Sequence, residues 1–243
     1  MLRKIRGTTT NYGQPAGILM LDTCFPRIPG DIGNATTFSY PVRYRTVQRA
    51  NYESVVNEPN EAMIEAFCLE GKKLIAEGCR VIFTSCGFMA AFQKEIAANL
   101  SVPFVSSSLM QAKYVYDMLP CGKVIGIMTA YEEKLTERHF WGVGIAQIPK
   151  VVAGLDHTYF GNFLRNMDSE LDYVRAEQDM RDVAARMLSA HPEIGAIVLE
   201  CTNMPPFSAM LREEFRLPVY DIVSLMDYVV LGMIHGKFHG RCV

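Results

Sequence analysis

Short apolar runs alternate along this chain with longer segments in which apolar residues recur every three or four positions. The short runs have the length and composition of buried β-strands, and they lie at residues 17–22, 80–84 and 123–129. The longer segments predict amphipathic helices, and they lie at 60–78, 107–119, 131–141 and 169–190. A weaker strand is predicted at 143–148. This order of elements predicts an α/β fold with mostly parallel sheets covered by helices on both faces.

Two segments of the chain repeat one pattern. VIFTSCGFMAAFQKEIAANLSVPFV at 81–105 and IVLECTNMPPFSAMLREEFRLPVY at 197–220 each predict a strand, a cysteine, a helix and a second strand. The interval between the cysteine and the last proline is the same in both segments. The sequence therefore predicts a duplicated βαβ unit that carries one thiol at the end of each first strand.

The duplication predicts two pseudo-symmetric lobes with an active site between them. We place the first lobe at residues 1–111 plus 218–243 and the second at 112–217. The segment DIVSLMDYVVLGMIHG at 221–236 would return the chain to the first lobe. In open α/β sheets, ligands bind outside the carboxyl ends of the strands. The two predicted thiols would therefore face one another across a ligand.

Cys86 and Cys201 are the predicted catalytic residues. Each leaves an apolar strand and enters a helix, where the helix dipole and free N–H groups are expected to lower the pKa of a thiol. One thiolate would remove the proton next to a carboxylate, and the other thiol would return a proton from the far side. Cys24, Cys68 and Cys79 are interpreted as packing positions, since cysteine often behaves as a small buried hydrophobe.

The residues around both cysteines suit a carboxylate substrate. Gly87 allows close approach of a ligand, and the backbone N–H groups near Gly87, Phe88, Thr202 and Asn203 would stabilise negative charge. The hydroxyl of Ser85 would contact the substrate or cap the following helix. Arg27 and Asp31, in the loop after the first strand, would pair with substrate charges or solvate a turn, and the sequence leaves both interpretations open.

Composition favours small-molecule chemistry. The chain has 243 residues, 49% hydrophobic and 21% charged, with a net charge of −2, which gives no electrostatic reason to expect nucleic acid or membrane as a partner. Seven cysteines without a C-x-x-C pair, and a start without an apolar signal core, predict a reduced, cytoplasmic protein.

His235, His239 and Cys242 are interpreted as a solvated tail, so no metal is predicted. No nucleotide-binding motif is present, and no cofactor is predicted.

Four motifs resemble the aspartate/glutamate racemase superfamily, which includes hydantoin racemases, maleate cis-trans isomerases and arylmalonate decarboxylases. They are GILMLDTC at 17–24, TSCGF at 84–88, GKVIGIMTAY at 122–131 and LECTNMPP at 199–206. The resemblance covers nearly the whole chain and implies a cofactor-independent enzyme, expected to be a homodimer, with Cys86 and Cys201 as the catalytic pair. It further implies that Thr129 and Tyr131 contact the substrate carboxylate and that Asp22 corresponds to an early aspartate of the family.

The sequence also departs from the amino-acid racemases of this family. Their first cysteine is usually followed by Asn-Thr, here replaced by Gly87 and Phe88, and their second by Thr and then His or Glu, here by Thr202 and Asn203. We predict a racemase or epimerase of a small carboxylate such as an aspartate-like or glutamate-like amino acid or derivative. Two alternatives stay open: a maleate-type cis-trans isomerase with Cys201 as nucleophile and its partner thiol as proton donor, and a catalytically inactive carboxylate-binding protein.

Overall fold

A computed structural model of the chain describes residue 7, residues 9–57, residues 61–234 and residue 236. Within these residues, eight strands form two four-stranded sheets. The strands are β1 (Ala16–Leu21), β2 (Val42–Val47), β3 (Val81–Thr84), β4 (Phe104–Val105), β5 (Val124–Thr129), β6 (Lys150–Gly154), β7 (Ile194–Leu199) and β8 (Val219–Tyr220). The apolar runs predicted as strands thus correspond to β1, β3 and β5.

The two sheets have the same topology. Their strand orders are β2-β1-β3-β4 and β6-β5-β7-β8, and all neighbouring strands are parallel. The cysteine-bearing strands β3 and β7 therefore occupy equivalent positions in the two sheets. This arrangement confirms the predicted α/β fold of two pseudo-symmetric lobes.

Helices cover the sheets, as parallel sheets require. They are α1 (Ala62–Ala76), α2 (Gln93–Asn99), α3 (Ala112–Met118), α4 (Glu137–Gly142), α5 (Tyr159–Asn166), α6 (Tyr173–Ala190), α7 (Ser208–Phe215) and α8 (Ile222–Ile234). The helices after the two cysteines begin as 3₁₀ turns, at Gly87–Phe92 and Pro205–Phe207. No helix among the described residues is long and apolar enough to cross a membrane.

The last helix packs against the first sheet, although it follows the last strand of the second. Ile222 and Met226 of α8 belong to a fully buried cluster with Ile18 of β1 and Phe83 of β3. The chain therefore returns to the first lobe through α8, which is the path that the sequence predicts. The lobe boundaries near residues 111 and 218 stay predictions.

Two strands differ from the sequence-based expectation. The predicted strand at 143–148 is wrong: these residues form a loop that includes Gly144 with φ of +75°, and β6 follows at 150. β2 was not predicted, because its arginines interrupt the apolar pattern. Arg43 and Arg45 pair there with Glu77 of the segment that ends α1, at 2.7 Å each. An edge strand carrying charged side chains has no apolar run for a sequence pattern to detect.

Candidate active site

The two cysteines lie at the carboxyl ends of equivalent strands and line one pocket. Cys86 follows β3 and Cys201 follows β7, each after one intervening residue. The pocket contains about 520 Å³ of space that no atom occupies, part of which is open to solvent. The sequence prediction that both thiols face a common hollow agrees with this placement.

The lining of this pocket is mostly apolar and aromatic, with a few polar groups. The apolar and aromatic side chains are those of Leu21, Phe25, Tyr52, Val56, Phe88, Ala130, Tyr131, Leu164 and Met167. The remaining lining residues are Thr23, Arg27, Ser85, Cys86, Gly87, Glu200, Cys201, Thr202 and Asn203. Arg27 supplies the positive charge in this lining.

Hydrogen bonds fix the two strand ends relative to each other. The fully buried Thr202 hydroxyl donates to the Ser85 carbonyl at 2.6 Å. The Ser108 hydroxyl donates to the Leu199 carbonyl at 2.5 Å. Ser85 in turn accepts a hydrogen bond from the Leu21 N–H through its side chain. Thr202 and Ser85 thus hold the two halves of the site together. The predicted contact of these residues with a substrate stays a prediction.

Burial favours the protonated form of both thiols in the empty pocket. Burial, followed by the charge of Glu200, raises the pKa of Cys86 to about 12 and raises the pKa of Cys201 well above its usual value. Hydrogen bonds from the Phe88 and Met89 N–H groups to Cys86 offset only part of this effect. The predicted lowering of the thiol pKa at a helix N-terminus is therefore wrong for the empty site, because desolvation outweighs the favourable dipoles.

A hydrogen-bonded chain holds Cys201 from the loop after β1. The thiol donates to Asn203 Oδ1 at 3.4 Å, and Asn203 Nδ2 donates to Asp31 Oδ2 at 2.7 Å. Asp31 is buried and pairs with Arg27 at 3.0 Å. Arg27 also donates to the Thr23 hydroxyl at 2.7 Å. The loop that the sequence left undecided therefore positions both a catalytic candidate and the cation of the pocket.

Aromatic rings form one wall of the pocket. The rings of Tyr52 and Tyr131 meet edge to face, with centroids 5.0 Å apart, and Phe88 lies 6.4 Å from Tyr131. Arg165, which does not line the pocket, lies over both tyrosine rings at 5.9 Å and 5.0 Å. The Tyr131 hydroxyl donates to the Gly161 carbonyl at 3.0 Å. This hydrogen bond fixes the ring, so the wall is preorganised.

Two of the predicted substrate-binding residues lie outside the pocket lining. Asp22 is exposed, and its backbone N–H donates to the Ala50 carbonyl. Thr129 is fully buried, and its hydroxyl donates to Glu200 Oε2 at 2.7 Å. Thr129 therefore contacts a pocket residue, Glu200, in the position where the resemblance implied contact with a substrate carboxylate. The other candidates line the pocket: Ser85, Cys86, Gly87, Phe88, Tyr131, Cys201, Thr202 and Asn203.

Sequence reasoning missed Glu200 and Tyr52. Glu200 had a detectable signal, since a carboxylate directly follows the apolar run of β7 and precedes a cysteine. Tyr52 had none, because it lies in an irregular segment before a π-helical turn at Glu53–Asn57 and reaches the pocket only through the fold. The predicted tail of His235, His239 and Cys242 lies outside the described residues.

No family model matches the chain. The chain is 28% identical over 231 residues to a dimethylsulfoniopropionate lyase of Durusdinium sp. clade D, covering 92% of this chain and 76% of that protein. It is 27% identical over 245 residues to dimethylsulfoniopropionate lyase 7 of Emiliania huxleyi (strain CCMP1516), covering 91% of this chain and 68% of that protein. These relatives of the chain are enzymes.

Solved structures share the fold. A glycine-to-cysteine mutant of arylmalonate decarboxylase in a sulfate-associated form has a TM-score of 0.62 at 18% identity, covering 93% of this chain and 97% of that one. Allantoin racemase from Pseudomonas fluorescens has a TM-score of 0.59 at 16% identity, covering 90% of each chain. Aspartate racemase of Picrophilus torridus has a TM-score of 0.56 at 14% identity, covering 93% and 96%. The chain thus has the fold of the aspartate/glutamate racemase superfamily, as its motifs predict.

Proposed function

We propose that this chain is a cofactor-independent lyase that removes the proton next to the carboxylate of dimethylsulfoniopropionate and expels dimethyl sulfide. The observation that carries this proposal is one partly exposed thiol, Cys201, in a pocket whose lining is mostly apolar and aromatic. The relatives named as dimethylsulfoniopropionate lyases, which align with 92% and 91% of the chain, support the choice of substrate.

The reaction needs one base and a site for negative charge. The positive sulfonium group of the bound substrate favours loss of a thiol proton to solvent, and the resulting thiolate takes the α-proton. The electron pair moves toward the carboxylate, where Arg27 and the backbone N–H groups beside the thiols stabilise it. The pair then forms the carbon–carbon double bond while the bond from the β-carbon to sulfur breaks. The products are acrylate, dimethyl sulfide and a proton that passes from the thiol to solvent.

Cys201 is the base in this proposal. Its side chain is partly exposed, whereas Cys86 is buried, so a substrate in the pocket reaches the Cys201 sulfur more easily. The chain of hydrogen bonds through Asn203 and Asp31 also fixes the orientation of this thiol. Preorganised orientation of the group that takes the proton lowers the entropic part of the barrier.

The pocket wall suits a methylated cation. A dimethylsulfonium group presents methyl groups and a positive charge, and both are accommodated by aromatic faces. Tyr52 and Tyr131 supply such faces, while Arg27, which lies over Phe25 at 4.3 Å, attracts the carboxylate end. An amino acid would bring a strongly hydrated ammonium group and, in aspartate or glutamate, a second carboxylate into the same apolar space. The lining therefore favours the sulfonium substrate.

The direct test is release of dimethyl sulfide from dimethylsulfoniopropionate, measured by headspace gas chromatography together with acrylate in solution. We expect both products in equal amounts from the purified protein and neither after replacement of both thiols by serine. Failure of the unmodified, folded protein to release dimethyl sulfide at any pH between 6 and 9 would overturn the choice of substrate.

Racemisation of a small carboxylate is the second candidate, and the presence of two thiols in one pocket favours it. A lyase needs one base, whereas a two-base racemase needs both. Aspartate, glutamate, hydantoins and maleate, incubated in deuterated buffer, separate the alternatives. Exchange of the α-hydrogen with inversion supports the racemase, and conversion of maleate to fumarate supports the cis-trans isomerase. Binding without any turnover supports the inactive carboxylate-binding protein.

Tyr52→Leu is expected to raise the KM for dimethylsulfoniopropionate about 10-fold, with a smaller effect on kcat. The leucine keeps the wall apolar but removes the ring face that attracts the cation, and cation–π contacts contribute about 1–2 kcal/mol when desolvated. Steady-state kinetics measure this change. Tyr228→Leu, on the exposed side of α8, is the matched control because Tyr228 does not line the pocket. An unchanged KM in Tyr52→Leu would exclude the ring from substrate binding.

A further inference from the structure

Glu200 is a fully buried carboxyl group that none of the steps above uses. It lies between the last residue of β7 and Cys201, and it lines the same pocket as the thiols. Its charge raises the pKa of both Cys86 and Cys201, so it lies near enough to influence both thiols. A carboxyl group in this position affects any reaction that the thiols perform.

The two oxygens of Glu200 have different environments. Oε2 accepts a hydrogen bond from the Thr129 hydroxyl at 2.7 Å. Oε1 is buried and makes no hydrogen bond with any residue that the structure describes. A Cβ at position 87 would overlap Oε1, so the absence of a side chain at Gly87 leaves this oxygen room. Because folded proteins leave few buried polar atoms unsatisfied, such an atom at a pocket indicates a partner that arrives with the ligand.

Burial also favours the neutral form of this group. Desolvation raises the pKa of Glu200 to about 7, although hydrogen bonds from Thr129 and the Ala130 backbone oppose the shift. The titratable groups with which its charge interacts include the thiols of Cys86 and Cys201. A thiolate formed beside the carboxyl group would raise its pKa further. A proton on Oε1 keeps the hydrogen bond from Thr129 to Oε2 and makes the oxygen without a partner a donor.

We propose that Glu200 is a catalytic residue that acts as a neutral carboxylic acid, its Oε1 hydroxyl donating a hydrogen bond to the carboxylate of the substrate. This inference rests on the proposed function, because it requires a carboxylate substrate. When the thiolate takes the α-proton, the electron pair moves onto the substrate carboxylate and the hydrogen bond strengthens. The acid keeps its own proton throughout, and the pair returns to the carbon skeleton when the β-carbon–sulfur bond breaks. An ionised Glu200 would instead repel the carboxylate of the substrate.

The first test measures binding and needs no turnover. Acrylate and propionate stay ionised above pH 6, and their dissociation constants are measured by calorimetry from pH 6 to 9 with the wild-type protein and Glu200→Gln. In the wild type, affinity is expected to fall by up to about tenfold per pH unit above pH 7, as the acid ionises. In Glu200→Gln the amide N–H donates at every pH, so affinity is expected to stay level. Parallel pH dependence in the two proteins would overturn the proposal.

The second test compares turnover of dimethylsulfoniopropionate. The ratio of kcat/KM for Glu200→Gln to that of the wild type is expected to rise with pH above 7, because the wild type loses its donor while the amide does not. A purely structural role would give a ratio that is independent of pH. Glu95→Gln, an exposed position on α2, is the control for the loss of a carboxylate. One outcome separates the two proposals: the affinity of Glu200→Gln for carboxylates is independent of pH, but the wild type does not turn over dimethylsulfoniopropionate. That outcome would overturn the proposed lyase and leave the role of Glu200 as a neutral acid standing.

Thr129→Val keeps the inference testable if Glu200→Gln does not fold. This change removes the hydroxyl that donates to Oε2, a hydrogen bond that lowers the pKa of Glu200. The pH at which carboxylate affinity declines is then expected to move upward while the carboxyl group itself remains. An unmoved decline would contradict the assignment, because the titrating group would not be the one that Thr129 contacts.

Discussion

Replacing Cys201 with serine is expected to lower kcat/KM by about 10³-fold or more at pH 7.5. A serine hydroxyl has almost the same shape but is a much weaker acid than a thiol, so the bound sulfonium charge does not ionise it and the base is lost; a positioned general base contributes about 10²–10⁴-fold. The hydrogen bond to Asn203 Oδ1 is available to the hydroxyl, and the surrounding contacts are retained. Steady-state kinetics with dimethylsulfoniopropionate measure the loss, and an unchanged melting temperature shows that it arises from chemistry.

The matched change at Cys86 separates the two candidate reactions. For the lyase, Cys86→Ser is expected to reduce turnover only about 10-fold, because one base suffices and the substituted side chain still borders the pocket. For a racemase, either single replacement removes inversion, since each thiol serves one face of the substrate carbon. Cys121→Ser is the control for a cysteine change at an exposed position. Equal losses of 10³-fold at both pocket thiols would contradict a single-base elimination and favour the racemase.

The repeated pattern was enough to predict the fold and the two thiols. A buried parallel strand is a continuous apolar run, and β3, β5 and β7 each read as one in the sequence. The duplicated strand–cysteine–helix unit then predicted equivalent positions for Cys86 and Cys201, one in each lobe. The prediction missed β2, an edge strand whose formation depends on ion pairs with residues distant in the sequence. Arg45 of β2 pairs with Glu70 of α1 and with Glu77, the residue after α1, and a pattern of neighbouring residues does not reveal such contacts.

The chemistry of the site was less predictable than its position. The sequence placed thiols beside helix N-termini, which by itself lowers a thiol pKa. The depth of burial, and a neighbouring carboxylate at Glu200, reverse that direction. Asp31 lies 172 positions from Asn203 in the chain, yet the two side chains share a hydrogen bond. Contacts of this kind between the lobes depend on how the two sheets pack, so the sequence around either residue does not predict them. The predicted homodimer and cellular location stay predictions.

Gly87→Ala is expected to destabilise the protein by about 3 kcal/mol and to abolish measurable turnover. An added Cβ at this position would overlap both Glu200 Oε1 and the Glu200 backbone carbonyl, and would lie 2.7 Å from the Glu200 carboxyl carbon. Backbone atoms at the end of a central strand move only with the strand, and overpacking of a buried site costs about 1–3 kcal/mol. A cost of this size lowers the melting temperature by roughly 10 °C in a domain of this length, and thermal unfolding measures it.

The same change in open space is the control. Gly232 lies in the exposed part of α8, with nothing within 4 Å of an added Cβ. Gly232→Ala is therefore expected to be neutral or to stabilise the protein by up to about 1 kcal/mol, since alanine is the better helix former. The difference in stability between the two variants would show that Gly87→Ala destabilises the protein through the contact between the ends of β3 and β7. Normal stability and normal turnover in Gly87→Ala would mean that Glu200 does not pack against the Cys86 turn, and the arrangement of acid and thiols described above would then be wrong.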